Sequence, residues 1–190
     1  MRRLWIAGAV IVVAAPAWGH RPTSFGAEEI ITDPTFSWTI PGEFESGKEV
    51  FSFTLDYEAP FALPFEILVP TAGGNGDFRP QYVIVGPGLP KPTDEVLAAL
   101  PDDVEIGADE GVFFEANDDE DRFLFFEGVM RRALVSSGST AVALDAGVST
   151  IWIWSPDEDR GEFMFGFGVE ENFENGGFGG LFSNWSDFAY

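Results

Sequence analysis

His20 is the single histidine of this 190-residue chain, and it stands in the stretch AWGHRP directly after an apolar run. Cleavage after Gly19 would make it the first residue. A free α-amine and the imidazole of that same residue form a two-nitrogen chelate suited to Cu(II). Oxidative copper sites of the histidine-brace kind need a second histidine, which the sequence lacks. His20 therefore offers copper binding completed by carboxylates and no copper oxidation. With no cysteine either, zinc sites of the usual His and Cys type are excluded. A Ser-His-Asp arrangement would have to draw its base from the chain end, where an imidazole is hard to orient.

Carboxylates are the remaining chemistry. Asn117, Asp119 and Asp121 follow the 1-3-5 oxygen spacing of a calcium loop, but Arg122 stands where an EF-hand needs glycine. Asp157 and Asp159, followed by Gly161 and Glu162, form a second acidic loop that reads equally well as a polar hairpin. Glu66, Glu115 and Glu127 are set in apolar strands or at their ends, which makes them candidates for a facing pair of the glycoside hydrolase kind. The simpler reading of each is an outward-pointing acid on an amphipathic strand. Trp152 and Trp154 share one side of a strand whose other side is Ile151 and Ile153. Such a strand is either buried on both faces or carries an aromatic platform for stacking on sugars. Trp185, in the tail GGFGGLFSNWSDFAY, is a further candidate contact residue.

These residues must be positioned by a chain with its own address. Arg2 and Arg3, the uncharged run from Leu4 to Ala15, and the small residues Ala17 and Gly19 match the three parts of a secretory signal. Residues 1–19 are expected to be removed, with a cut after Ala17 as the competing site. The product, 20–190, is one domain, secreted or periplasmic, with no membrane span remaining. The apolar run falls short of the roughly 20 residues a spanning helix needs. Without disulfides, packing must hold the fold, and 20 phenylalanines and 6 tryptophans supply it.

The full chain carries 32 acidic and 10 basic residues, a formal charge of −22. Losing Arg2 and Arg3 takes it to about −24. Such a surface repels phosphate backbones and anionic lipid heads, so nucleic acid is excluded as a partner. A glycan or another cell-envelope component is the partner class that remains.

Short alternating runs dominate the order of elements. VFSFTLDY at 50–57 places Phe51, Phe53, Leu55 and Tyr57 on one face and polar residues on the other. Comparable runs lie at 36–40, 65–69, 81–86, 111–116, 122–128, 140–145, 149–154 and 162–170, separated by Pro-Gly at 41–42 and 87–88, Gly-Gly-Asn-Gly at 73–76 and Ser-Pro-Asp at 155–157. The pattern predicts an all-β, antiparallel, jelly-roll-like β-sandwich. One short helix is predicted near 93–100, capped by Thr93 and stopped by Pro101, with a further helical turn within VMRRALV at 129–135.

TAVALDAGVSTIWIWSPDEDRGEFMFGFG, at 140–168, resembles the closing hairpin of pre-peptidase C-terminal-type secreted β-sandwiches, through Ala146-Gly147, Pro156-Asp157 and Gly161-Glu162-Phe163. RPQYVIVGPGLP at 79–90 resembles a group of uncharacterised exported bacterial β-sandwich proteins. The resemblances imply a fold and an address, and no activity. The functional expectation is an exported acidic module that binds carbohydrate or calcium or serves a structural role. A small carboxylate-dependent glycoside hydrolase and a copper binder using His20 are the alternatives.

Overall fold

The computed structural model describes residues 21–22, 30–117, 122–127 and 131–169. They form strands β1 (Arg21–Pro22), β2 (Ile30–Ile31), β3 (Trp38–Phe44), β4 (Val50–Tyr57), β5 (Phe61–Pro70), β6 (Gln81–Gly86), β7 (Gly111–Glu115), β8 (Phe123–Glu127), β9 (Arg132–Ser136), β10 (Thr140–Leu144), β11 (Gly147–Trp154) and β12 (Gly161–Phe167), with helix α1 (Asp94–Ala99) and a 3₁₀ turn at Ala72–Asp77. Two sheets result. One runs β1-β3-β12-β5-β9-β8, with β10 also on β5, and the other runs β2-β4-β11-β6-β7. All pairings are antiparallel except β1 with β3 and β2 with β4. The molecule is a β-sandwich.

The core lies between the sheets. Alternation along β4 sends Phe53, Leu55 and Tyr57 inward against Phe163, Phe165 and Phe167 of β12 and Phe65 and Ile67 of β5. Tyr82 of β6 is fully buried edge-on to Phe165, at 4.9 Å between ring centres. A second layer sits on the outer face of the five-stranded sheet. There the long connection between β6 and β7 folds back, so that Val96, Leu100, Val104 and Ile106 cover Val83, Val85, Val112 and Trp154. Helix α1 starts where Thr93 Oγ1 accepts from Val96 N at 3.3 Å, as its capping sequence requires.

Three local expectations are corrected. Pro41-Gly42 is no turn; both residues lie within β3 opposite Met164 and Phe163. Pro41 is tolerated on that side because, among the described residues, β1 pairs only with Trp38 and Thr39 and does not reach it. VMRRALV gives no helical turn in its described part, because Arg132–Ser136 is β9, paired with both β5 and β8. Cross-strand pairing of Leu134 and Val135 outweighs the helix propensity of a five-residue piece. β5 begins at Phe61, four residues earlier than the apolar run suggests, and carries both β9 and β10 along one edge.

Candidate functional site

Asn117 lies just beyond β7 in the left-handed region, at φ 54°, and is buried. That conformation favours asparagine among non-glycine residues. Its side chain is already engaged. Nδ2 donates to Pro80 O at 2.9 Å, and Oδ1 accepts from Arg122 Nη1 at 3.2 Å. The same guanidinium donates to Phe78 O and Gly76 O. Arg122 thus sets a guanidinium directly against Asn117 Oδ1. Asp119 and Asp121 lie outside the described residues, as do His20 and Trp185.

Asp157 and Asp159 are exposed in the β11–β12 turn. Its shape comes from hydrogen bonds to Ser155: Asp159 N donates to the Oγ hydroxyl at 2.9 Å, and Glu158 N donates to the carbonyl O. Gly47, at φ 81°, has no side chain to collide with the Glu158 carbonyl that lies against it. Among the described residues no three acidic or histidine side chains gather to hold a metal ion.

Trp152 and Trp154 point to the outer face of their sheet, with Ile151 and Ile153 in the core. Trp154 is buried beneath the β6–β7 connection and stacks on Phe114 at 6.0 Å. Trp152 is half-buried, with its indole Nε1 enclosed and without a hydrogen-bond partner. The pair forms the floor under α1 and its flanks, with no open platform on the strand.

The carboxylates singled out from the sequence stand on three different strands, β5, β7 and β8. Glu66 alternates with core residues Phe65 and Ile67, so it points out of the seven-stranded sheet. Glu115 is the cross-strand partner of Tyr82 and shares its inward face on the other sheet. Glu127 ends β8 opposite Arg132.

Burial pushes the Glu66 carboxyl above its ordinary value of 4.5, and the Ser136 hydroxyl, 2.9 Å from Oε2, offsets part of the rise. A raised folded value means the native state holds its proton more tightly than the unfolded chain does. Glu66 then favours folding at acid pH and opposes it progressively as pH rises above 4.5. Glu66→Gln, which keeps an acceptor for Ser136, is expected to be more stable than the parent at pH 7 and no more stable at pH 4. Urea unfolding at the two pH values checks this, and an equal effect at both would contradict it.

A grouping not singled out in the sequence forms at one end of the sandwich. An open cleft of 380 Å³ is lined by Glu43, Glu45, Ala72, Gly73, Arg160 and Glu162, with Asn75 and Gly161 on its wall and buried Phe44 beneath. β3 and β12 pair so that Glu43 and Glu162 lie directly opposite each other. Like charges in that relation are destabilising. Arg132 reaches Glu162 at 3.6 Å and relieves part of the repulsion. Asn75 Nδ2 donates to Glu162 O at 2.8 Å and to Pro70 O, fastening the 3₁₀ turn across the start of β12. A side chain at Gly161 would strike Asn75 Oδ1 and the Phe78 ring, so glycine is what allows this closure.

In architecture the chain is a two-sheet, mostly antiparallel β-sandwich. A 1.0 Å crystal structure of the pre-peptidase C-terminal domain of collagenase from Bacillus anthracis is similar over 78% of this chain and 95% of that one, with 9% sequence identity and a TM-score of 0.39. No family model matches the sequence, and no curated protein matches it.

Proposed function

We propose that the chain is an exported, non-catalytic binding module whose ligand site is the cleft between β3, the 3₁₀ turn and β12. The observation that carries this reading is the opposed pair Glu43 and Glu162, held at the mouth of a cleft beside Arg160 and the Gly73 backbone. Carboxylates and a guanidinium around one space supply acceptors and donors together, which suits a polyhydroxylated ligand. The class named is a neutral or amino-substituted glycan of the cell envelope. The 380 Å³ volume is within the range of small-ligand sites.

The test is amide NMR of the exported protein titrated with neutral and amino-sugar oligosaccharides. Shifts are expected at Gly73, Gly161 and Glu162. Glu162→Gln and Arg160→Ala should each weaken binding by roughly tenfold, the loss of about one charge-assisted hydrogen bond. Shifts confined to Trp152 and Phe114 would move the site to the opposite sheet and overturn the assignment. Calcium moving the cleft amides in place of sugar would replace a glycan by a cation.

A further inference from the structure

Asn75 is followed by Gly76, the pairing in which an asparagine side chain is most open to attack by its own backbone, because glycine puts no side chain in the way of its nitrogen. Asn75 also closes the wall of the cleft. Its Nδ2 donates to Pro70 O at 3.1 Å and to Glu162 O at 2.8 Å, tying the 3₁₀ turn to the end of β5 and the start of β12. The next peptide is held separately, since Gly76 O accepts from Arg122 Nη2 at 2.8 Å. Asn75 O accepts from Phe78 N at 3.0 Å, and Asn75 and Gly76 keep helical backbone angles, while Gly73 and Gly74 before them are left-handed. The groups that must move for the attack are thus fastened, beside two glycines that add little stiffness of their own.

We infer that Asn75 is a deamidation site gated by opening of the 3₁₀ turn, and that the reaction removes the amide that locks the wall of the cleft. Gly76 N forms a bond to Asn75 Cγ, and the side-chain nitrogen departs from Cγ as ammonia, taking the proton that Gly76 N gives up. Water then opens the resulting succinimide at either carbonyl and leaves aspartate or isoaspartate at position 75. Ring closure requires Nδ2 to leave both carbonyls and the Gly76 peptide to turn, so the folded protein reacts only through its locally open fraction. The product is a carboxylate, with no proton to give Pro70 O or Glu162 O. It stands in the cleft of Glu43, Glu45 and Glu162, where a further negative charge is repelled. Detachment of the turn is then permanent, because the group that refastens it is gone. The consequence for a ligand rests on the binding reading of this cleft; the modification itself does not.

The exported protein is incubated at mildly alkaline pH, and peptide mass mapping with isoaspartate detection follows the amide-to-acid mass gain at Asn75, resolved from the second Asn-Gly pair at 175–176. Native protein is expected to react at Asn75 at least about tenfold more slowly than the urea-unfolded chain, the factor for two hydrogen bonds broken on opening. Gly161→Ala, whose methyl group would meet Asn75 Oδ1 and the Phe78 ring, should remove most of that protection. Asn75→Asp gives a reading that does not depend on how the Gly161 variant folds: the Phe78 amide, which bonds Asn75 O, should exchange about tenfold faster, while Val83 and Ile84 of β6 keep their protection. Equal rates in native and unfolded protein, a folded Gly161→Ala protein as protected as the parent, or an unchanged Phe78 amide in Asn75→Asp would each overturn the inference. A protein that binds no sugar and still reacts in this way would overturn the binding reading and support this one.

Discussion

Phe165→Ala is expected to lower the unfolding free energy by about 3–5 kcal/mol, the range for deleting a fully buried phenylalanine. Phe165 is completely inaccessible and lies where both sheets meet. Its ring centre is 4.9 Å from Tyr82, 5.6 Å from Phe53, 6.1 Å from Phe65 and 6.2 Å from Phe167. Those neighbours sit on β6, β4, β5 and β12, so they cannot all close on the space left behind. The chain has no disulfide to limit the loss. Total stabilities of single domains are about 5–15 kcal/mol, so the change removes a large share. Urea titration should show a lower midpoint with little change in slope. Phe126→Ala, the same deletion at an exposed position, should stay within about 0.5 kcal/mol. Similar costs at both positions would mean that the aromatic cluster between the sheets is not what holds them together.

The strand at 50–57 was legible because its alternation is undisturbed, and β4 occupies those residues. Helix α1 was legible from Thr93, the two acids after it and Pro101. Pro41-Gly42 misled because proline breaks a strand only where a neighbour needs its N–H, and that depends on which strand is next in the sheet. At 149–154 the sequence showed two apolar faces but not what covers the outer one. The cover is the connection at 87–110, whose Val96, Leu100, Val104 and Ile106 carry too little periodicity to announce a partner.

The cleft was beyond reach for a related reason. Glu162 was visible as part of an acidic turn, while Glu43 looked like any solvated acid. Only the β3–β12 register sets them face to face. Asn75 read as turn punctuation, and nothing local says that its amide reaches Glu162 O. Long-range pairing creates sites that spacing along the chain does not encode.

Arg122→Met is expected to destabilise the protein by roughly 3 kcal/mol, since it keeps the aliphatic stem and removes hydrogen bonds from a charged donor. Three acceptors lose their partner: Phe78 O, Gly76 O and Asn117 Oδ1. The first two belong to the segment entering β6 and the third to the segment leaving β7, so the guanidinium fastens the two ends of that excursion together. Arg122→Lys should recover only part of the loss, because an ammonium is a point donor without the planar fork. The same geometry predicts the response to calcium. With Asn117 Oδ1 already accepting from a cationic side chain, a second positive charge there would meet repulsion, and thermal melts of the unaltered protein in calcium and in chelator should coincide. An ion bound at about a hundred times its dissociation constant would add roughly 2.7 kcal/mol and separate the curves clearly. Melts that separate, and that coincide again after Asn117→Ala, would place an ion beside the guanidinium and overturn its assignment as the group that closes this loop.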